Sequence, residues 1–477
     1  MRQTKIVATI SDKRCEKEFI QSLFNAGMNV ARINTAHISV ESGKEMVDNI
    51  RKVSDKIAIL IDTKGPEIRT CTTQNELVVT KGETVTLSHK KVLGPMPHIC
   101  VNYDHFVADI NAGNKILIDD GDIEITVVEK KRAHLICRIE NSGTIKNNKS
   151  LNVPGVEIKL PSLSGKDKEF IKFAIEQDLD FIAHSFVRNK HDIQEVQKLL
   201  DEGDSKIKII AKIENLDGVN NIDEILDEAY GIMVARGDLG IELPAEKIPT
   251  VQRVLIRKAI IHKKPVIIAT QMLHSMIEHP RPTRAEVSDV ASAIYSRADA
   301  IMLSGETAYG KYPIEAVEMM TKIANEVEPE IDKRYDVIMP PVNNEIAAYL
   351  AQSALKAARE LNPYAIVTST TTGKTARYLS AFRSNKPVLA NCHSKRVVRE
   401  LALSFGVLPL FLEMKKNKMK IQRSAVQSLV KEKLLKPDDF IIYIGGRFGE
   451  DAGASFIEIS RVSKLLIDPK IDGSQKG

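Results

Sequence analysis

The stretch IKIIAKIEN, residues 207–215, decides the fold. Ile207, Ile209, Ile210 and Ile213 make a short, β-branched, apolar run, and Asn215-Leu216-Asp217-Gly218 ends it. Strands that are apolar on both faces belong in parallel sheets covered by helices. Side chains alternate along a strand, so Lys212 and Glu214 share one face at its end. Two charges buried there are costly unless each has a partner. A structural salt bridge is the plain reading of the pair, and the rest of the chain decides whether that is enough.

Seven further runs share the pattern: TKIVATI (4–10), NVARINTAH (29–37), KIAILIDTKG (56–65), LDFIAHSFV (179–187), GIMVARGDLG (231–240), PVIIATQML (265–273) and DAIMLSGETA (299–308). Amphipathic segments of helix length, such as EKEFIQSLFNAG and KDKEFIKFAIEQD, separate most of them. Eight strand–helix units point to an α/β fold, a (β/α)8 TIM barrel, spanning 1–66 and 161–331. Between the third and fourth runs, residues 67–160 read differently. ELVVT, ETVTLSH, KILIDD, DIEITVVEK and HLICRIE look like short strands joined by Gly, Asn and Asp turns. This is a small all-β domain, a β-barrel lid inserted in a barrel loop, with Pro66 and Leu160-Pro161 as its hinges. YDVIMPPVNN reads as a linker. Beyond it, within 332–477, YAIVTST, PVLANC, VLPLFL, FIIYIGG and FIEISRV alternate with helical segments as an open α/β domain.

Composition bounds the function. The 477 residues are 43% hydrophobic and 27% charged, with a net charge of +5. That balance, without a dense Lys/Arg block, argues against a nucleic-acid binder. No apolar run reaches membrane-spanning length, and the N-terminus enters a strand at once, so a cytoplasmic protein with no leader is expected. The five cysteines (Cys15, Cys71, Cys100, Cys137 and Cys392) form no metal-binding spacing and are expected as free thiols. His184 and His262 are read as packing or surface histidines, and KKNKMK (415–420) as a solvated helix start.

Barrel enzymes work at the C-terminal ends of their strands. Seven of these ends are polar: Arg32, Asn34 and His37; Asp62-Thr63-Lys64, then Arg69; Ser185 and Arg188; Lys212 and Glu214; Arg236-Gly237-Asp238; Thr270-Gln271; Ser304-Gly305-Glu306. So many charges on one face point to function. Glu214 and Asp238 are hard carboxylates on adjacent strands, which suits Mg2+. Arg32, Arg69 and Lys212 suit phosphate or carboxylate groups. Together they point to phosphoryl transfer or enolate chemistry.

The motifs TKIVATI, NVARINTAH, LIDTKGPEIRT, IIAKIEN, MVARGDLG, ATQMLHSM, PRPTRAEVSDVA and MLSGETAYGKYP resemble the blocks of the pyruvate kinase family, in family order. ILIDDG and KSLNVPGV in the lid resemble it too. The resemblance implies ATP formation from phosphoenolpyruvate and ADP, with release of pyruvate. It implies Lys212, Thr270, Arg69 and Arg32 as catalytic residues. Substrate would meet Arg32, Ser185, Lys212, Ala235, Arg236, Gly237, Asp238 and Thr270. Nucleotide would meet Arg32, Asn34, His37, Arg69 and Lys149. Glu214 and Asp238 would hold Mg2+ or Mn2+, and Asn34, Asp62 and Thr63 would hold K+. On this reading Lys212 and Glu214 need not pair with each other, since phosphate and metal would pair them. A proton relay through Ser304 and Glu306, an approach of Asp120 on lid closure, and a homotetramer in the cytoplasm with PTRAEVSDVA at a subunit contact are also implied.

One departure stands out. The family usually has Asn-Phe-Ser-His-Gly where this chain has Asn34-Thr35-Ala36-His37-Ile38. The serine hydroxyl normally serves K+, and Ala36 has none, although Glu67 keeps the glutamate of potassium-dependent members. Weaker K+ binding is expected. TSTTTGKTAR (368–377), with Thr368, Thr370, Thr371, Gly373 and Thr375, is either a cradle for a sugar-phosphate or nucleotide effector or an ordinary strand-to-helix turn. Two alternatives stay open: a Mg2+-dependent barrel aldolase or mutase, and a catalytically dead relative.

Overall fold

The computed structural model describes residues 2–71, 76–90, 96–156, 158–331, 340–343, 345–414, 418–447 and 453–467. Most of the expected linker at 335–344, and Lys415–Asn417 of the KKNKMK run, lie outside them. Eight parallel strands close into a barrel. They are β1 (Lys5–Ile10), β2 (Val30–Asn34), β3 (Ala58–Asp62), β4 (Phe181–His184), β5 (Lys208–Ile213), β6 (Gly231–Ala235), β7 (Val266–Ala269) and β8 (Ala300–Leu303). Each falls within one of the apolar runs, and β8 pairs with β1 to close the ring.

Alternation sorts the side chains. Val7, Val30, Leu60, Ala183 and Ile210 fill the interior, while Ile6, Ala31, Ile61, Ile182 and Ala211 meet the surrounding helices. Two residues beyond those five inward positions stand Thr9, Arg32, Asp62, Ser185 and Lys212. The strand period therefore places one polar layer above the apolar ones, at the C-terminal mouth.

The β3–β4 connection builds the lid. Its six-stranded sheet runs in the order Leu151–Asn152, Lys115–Ile118, Ile123–Lys130, Leu135–Ile139, Thr84–Ser88, His98–Cys100. Leu77–Val79 and Gly143–Ile145 form a separate ribbon. The two edge strands are joined through the pairs Arg69↔Ser150 and Thr70↔Val101, so the sheet closes on the segment that follows the first hinge. The strands His98–Cys100, Gly143–Ile145 and Leu151–Asn152 escaped the sequence reading because two or three residues carry no period.

One expectation is corrected here. Cys71 and Cys100 are not free thiols but are bridged, with Cα atoms 5.2 Å apart. The antiparallel pairing of 69–71 with 100–102 brings them together, and no local spacing could have shown it. Cys15, Cys137 and Cys392 are free and buried.

The C-terminal sheet has β9 (Ala365–Thr370), β10 (Val388–Cys392), β11 (Val407–Phe411), β12 (Phe440–Arg447) and β13 (Gly453–Arg461), in the order β11-β10-β9-β12-β13. Only β13 is antiparallel to its neighbour. This domain plugs the barrel floor: Ala402 and Leu403 belong to the barrel's interior cluster. Buried polar contacts ring the plug. Arg383 grips Asp299, and the Lys5 ammonium donates to the Val407 carbonyl at 2.6 Å. Asp180, just before β4, accepts from Arg399 Nε at 2.6 Å, Arg51 at 3.0 Å and the Ile59 N–H at 2.8 Å. Asp180→Ala strands two guanidinium groups and a backbone donor, so it should cost about 3–5 kcal/mol in urea unfolding. A loss below about 1 kcal/mol would show that water replaces the carboxylate.

Candidate active site

Lys212 sits at the centre of the polar layer. Its ammonium lies 2.7 Å from Ser185 Oγ, 3.0 Å from Asp62 Oδ1 and 3.0 Å from Glu214 Oε1. Lys212 and Glu214 thus pair with each other, as the plain salt-bridge reading of the strand end has it. Burial alone would lower the Lys212 pKa, but the Asp62 and Glu214 carboxylates overcome it and raise the value. The ammonium stays charged.

Asp62 holds the layer together. Its Oδ2 accepts Arg32 Nε at 2.6 Å, and Arg32 also donates to Thr9 Oγ1 at 2.9 Å. Burial would push the Asp62 carboxyl up, yet Arg32 and Lys212 hold it below its ordinary value. The Asp62 carbonyl accepts Thr35 N–H and hydroxyl at 3.0 and 2.9 Å. Asn34 is the register partner of Asp62, and Thr63 follows, so the three residues read as a K+ site come together. Asn34 Oδ1 accepts the Ala36 N–H at 3.1 Å, and Lys166 Nζ donates to the Ala36 carbonyl at 3.1 Å. His37 is exposed at the rim just beyond.

Glu214 and Asp238 behave differently from Asp62. Burial drives the Glu214 carboxyl up to about 7; the Asp238 and Asp62 charges add to this, while Lys212 and the Phe186 N–H oppose it. Burial also raises Asp238, with Lys212 opposing and Asp120 and Glu67 adding repulsion. Two neighbouring carboxyls that are held above their usual range, short of positive charge, form a donor set suited to a hard divalent cation.

The β6 and β7 ends are fixed as a unit. Arg236 turns its guanidinium outward, to Asp289 at 2.7 Å and to the Thr270 carbonyl at 2.7 Å. Asp289 was not singled out from the sequence; its signal was the arginine before it on a strand end that needs an anchor. Thr270 Oγ1 accepts the Gly237 N–H at 2.8 Å and donates to the Ala269 carbonyl at 2.7 Å. Thr270 has φ +67° and Gln271 φ +54°. A β-branched residue held there stores about 1–3 kcal/mol of strain, as functional positions often do. Glu306 accepts the Leu273 and Ser304 N–H groups at 3.1 and 2.8 Å, so its carboxylate braces the loops after β7 and β8.

The lid covers one side. A cleft of about 540 Å³ lies between it and the barrel, lined by Arg69, Asp120 and Lys149 above and Phe186, Arg188 and Asp238 below. Arg69 pairs with Glu67 at 2.6 Å and donates to the Asn148 carbonyl at 2.7 Å. Lys149 pairs with Asp119 at 2.9 Å. The hinge is pinned from the barrel, because Asp167 accepts the Lys64 and Gly65 N–H groups at 2.9 and 3.3 Å. Gly65 has φ +71°, and a Cβ there would lie 2.7 Å from the Phe186 ring, so only glycine fits. Far away, Thr370 Oγ1 accepts the Gly373 N–H at 2.9 Å, beside a hollow of about 40 Å³ lined by Thr368, Thr371 and Thr375.

A (β/α)8 barrel with an ammonium, a guanidinium and paired carboxyls at its mouth, under a β lid, defines a kinase-type barrel enzyme. Residues 1–317 match the family model "Pyruvate kinase, barrel domain", and 349–460 match "Pyruvate kinase, alpha/beta domain". The chain is 47% identical over 468 residues to the pyruvate kinase of Borreliella burgdorferi, covering 97% of this chain and 98% of the relative. It is 43% identical over 476 residues to that of Bacillus licheniformis, covering 98% of this chain and 81% of the relative. A crystal structure of a pyruvate kinase from Cryptosporidium parvum superposes with a TM-score of 0.91 at 36% identity, covering 97% of this chain and 96% of that one. The chain belongs to the pyruvate kinase family.

His184 adds a test that is independent of catalysis. It is fully buried, and neither ring nitrogen has a hydrogen-bond partner. Burial lowers its pKa from 6.5 to about 4, against the pull of Asp192 and Asp167. Between those values the unfolded chain binds the proton and the folded chain does not, so stability falls as the pH drops through that window. Replacing His184 with Leu should remove about 2 kcal/mol of the pH 7 to pH 5 loss in urea unfolding. An unchanged slope would mean that the ring is protonated in place.

Proposed function

We propose that the chain transfers the phosphoryl group of phosphoenolpyruvate to ADP, giving pyruvate and ATP. The observation that carries this reading is the buried Lys212 ammonium, held charged by Asp62 and Glu214 with its third contact on a hydroxyl, Ser185. A fixed cation in a desolvated mouth stabilises charge on a transferring phosphoryl group and on the enolate left behind. Arg32, locked by Asp62 and Thr9, orients phosphate from the floor of the site, and Arg69 and Lys149 meet nucleotide from the lid. For both lid cations this means exchanging a present partner, Glu67 or Asp119, for phosphate. The Ala235-Arg236-Gly237 backbone faces the substrate carboxylate, and Thr270 stands where the enolate carbon gains its proton.

Glu214 and Asp238 would hold Mg2+ or Mn2+, which supplies Lewis-acid charge to phosphate oxygens when bound. Asn34, Asp62 and Thr63 would hold K+, with Ala36 offering no hydroxyl. A homotetramer in the cytoplasm belongs to the same reading, supported by the family's likeness. So does an effector at Thr368–Thr375, although the Thr370 contact to Gly373 equally suits a plain turn.

The test is pyruvate and ATP formation from phosphoenolpyruvate and ADP with Mg2+, titrated with KCl at constant ionic strength. Lys212→Met should lower kcat by about a thousandfold or more with little change in KM, because the contact matters most in the transition state. A loss within tenfold would remove Lys212 from the chemistry. Ala36→Ser should lower the KCl concentration giving half-activation. An unchanged value would show that the missing hydroxyl is already replaced. No turnover from folded protein with any cation would favour the non-catalytic alternative.

A further inference from the structure

The cysteines fall into two kinds. Cys15, Cys137 and Cys392 are buried, and burial pushes Cys137 and Cys392 up to about 12 and Cys15 above its ordinary value. Almost no thiolate forms at such values near neutral pH, and the thiolate is the reactive species. Cys71 and Cys100 are only half-buried, and they are bridged. Thiol chemistry in this chain is therefore confined to one pair.

The pair sits at a particular place. Among the described residues the lid sheet closes through residues 69–71, which run between 100–102 on one side and 148–150 on the other. On the first side Cys71 N–H donates to the Cys100 carbonyl at 2.8 Å and Asn102 N–H to the Arg69 carbonyl at 3.0 Å, while Arg69 N–H meets Asn102 Oδ1 at 2.8 Å. On the second, Thr70 N–H donates to the Lys149 carbonyl at 2.9 Å and Asn148 N–H to the Thr70 carbonyl at 3.1 Å. The closing segment thus carries Arg69 and fixes the backbone of Lys149, the two cations that overhang the cleft. A seam of a few backbone bonds is the weakest part of a closed sheet. A cross-link between residues 29 apart in sequence restricts the open seam far more than the closed one.

We propose that Cys71–Cys100 is a reversible thiol–disulfide modification site, which staples the lid seam when oxidised and loosens it when reduced, and so sets how tightly the cleft holds a nucleoside diphosphate. The co-reactant is a low-molecular-weight disulfide. One thiolate of the pair attacks it, forming a mixed disulfide and expelling one small thiolate. The second cysteine thiolate then displaces the other small thiol and closes the bridge. Two electrons pass from the pair to the small disulfide, and a dithiol reductant reverses the exchange. In the stapled lid Arg69 and Lys149 are ordered before nucleotide arrives, so binding loses less conformational freedom. The nucleotide consequence rests on the reading of Arg69 and Lys149 given above; the cross-link itself does not.

The experiment equilibrates the full chain in buffers of reduced and oxidised glutathione. Alkylation and peptide mapping by mass spectrometry follow the 71–100 link, and calorimetry gives the ADP dissociation constant in each state without requiring turnover. The expected result is a link that forms and reverses, with ADP binding about fivefold tighter when it is formed. Cys71→Ser and Cys100→Ala should each bind ADP like the reduced protein and ignore the buffer. Two substitutions, one in the closing segment and one on the strand His98–Cys100, guard against one of them simply misfolding. Failure to form the link in oxidising buffer overturns the proposal, as does a link that leaves ADP affinity unchanged, or a single-cysteine variant that still responds. Absence of ADP binding in both states, with the link forming normally, would instead overturn the nucleotide role of the lid cations and with it the regulatory part of this inference.

Discussion

The Asp62 carboxylate is the contact on which the rest of the site depends. It is 1% exposed and faces two cations, Arg32 from the adjacent β2 and Lys212 from β5, two strands away on the other side. Two buried positive groups in one mouth would repel each other and lose hydration. One carboxylate between them removes both costs and fixes the spacing of the cations. Its backbone carbonyl meanwhile ties down Thr35, so the β2 and β3 ends are set by the same residue. Lys212 is then left with a charge that can serve an incoming anion, and Glu214 with only part of a counter-charge.

That partial neutralisation explains the asymmetry of the mouth. Asp62 is held below the usual carboxylate range, whereas Glu214 and Asp238 are held above it. The floor is thus electrostatically satisfied, and the side beneath the lid is not. The lid brings carboxylates, Glu67 and Asp120, as well as cations toward that side. Such a cleft suits a ligand that carries both phosphate and a metal, and fits neither alone as well. The Arg236 anchor to Asp289 and the strained Thr270 belong to the same design. They hold backbone and hydroxyl in place where no flexible side chain is allowed to adjust.

Much of this was legible in the chain. The barrel strands announce themselves because burial on both faces demands continuous apolar runs, as in Ile207–Ile213. The polar layer was legible as well, since a charge two residues past an inward isoleucine has only the mouth to occupy. Partnership was not legible. Nothing local says that Asp62 lies between Arg32 and Lys212, because that depends on barrel closure. The Cys71–Cys100 bridge was missed for the same reason, as it arises from a long-range pairing whose strands are two or three residues long. Asp289 was not singled out either, because its contact with Arg236 spans 53 residues of sequence.

The barrel floor has a consequence for how such a chain could change over generations. Ala402 and Leu403 complete the interior packing of a domain to which they do not belong by sequence, and the Lys5 ammonium finds its partner, Val407, in that other domain. Neither half is therefore a free module. Recombination that trades the C-terminal domain for a distant cousin's must also trade the first strand and the segment around Asp180, or leave a hole under the barrel and a buried amine with nothing to hold. Substitutions on the two sides of that seam are bound to travel together, so the C-terminal domain is tied to the barrel it plugs.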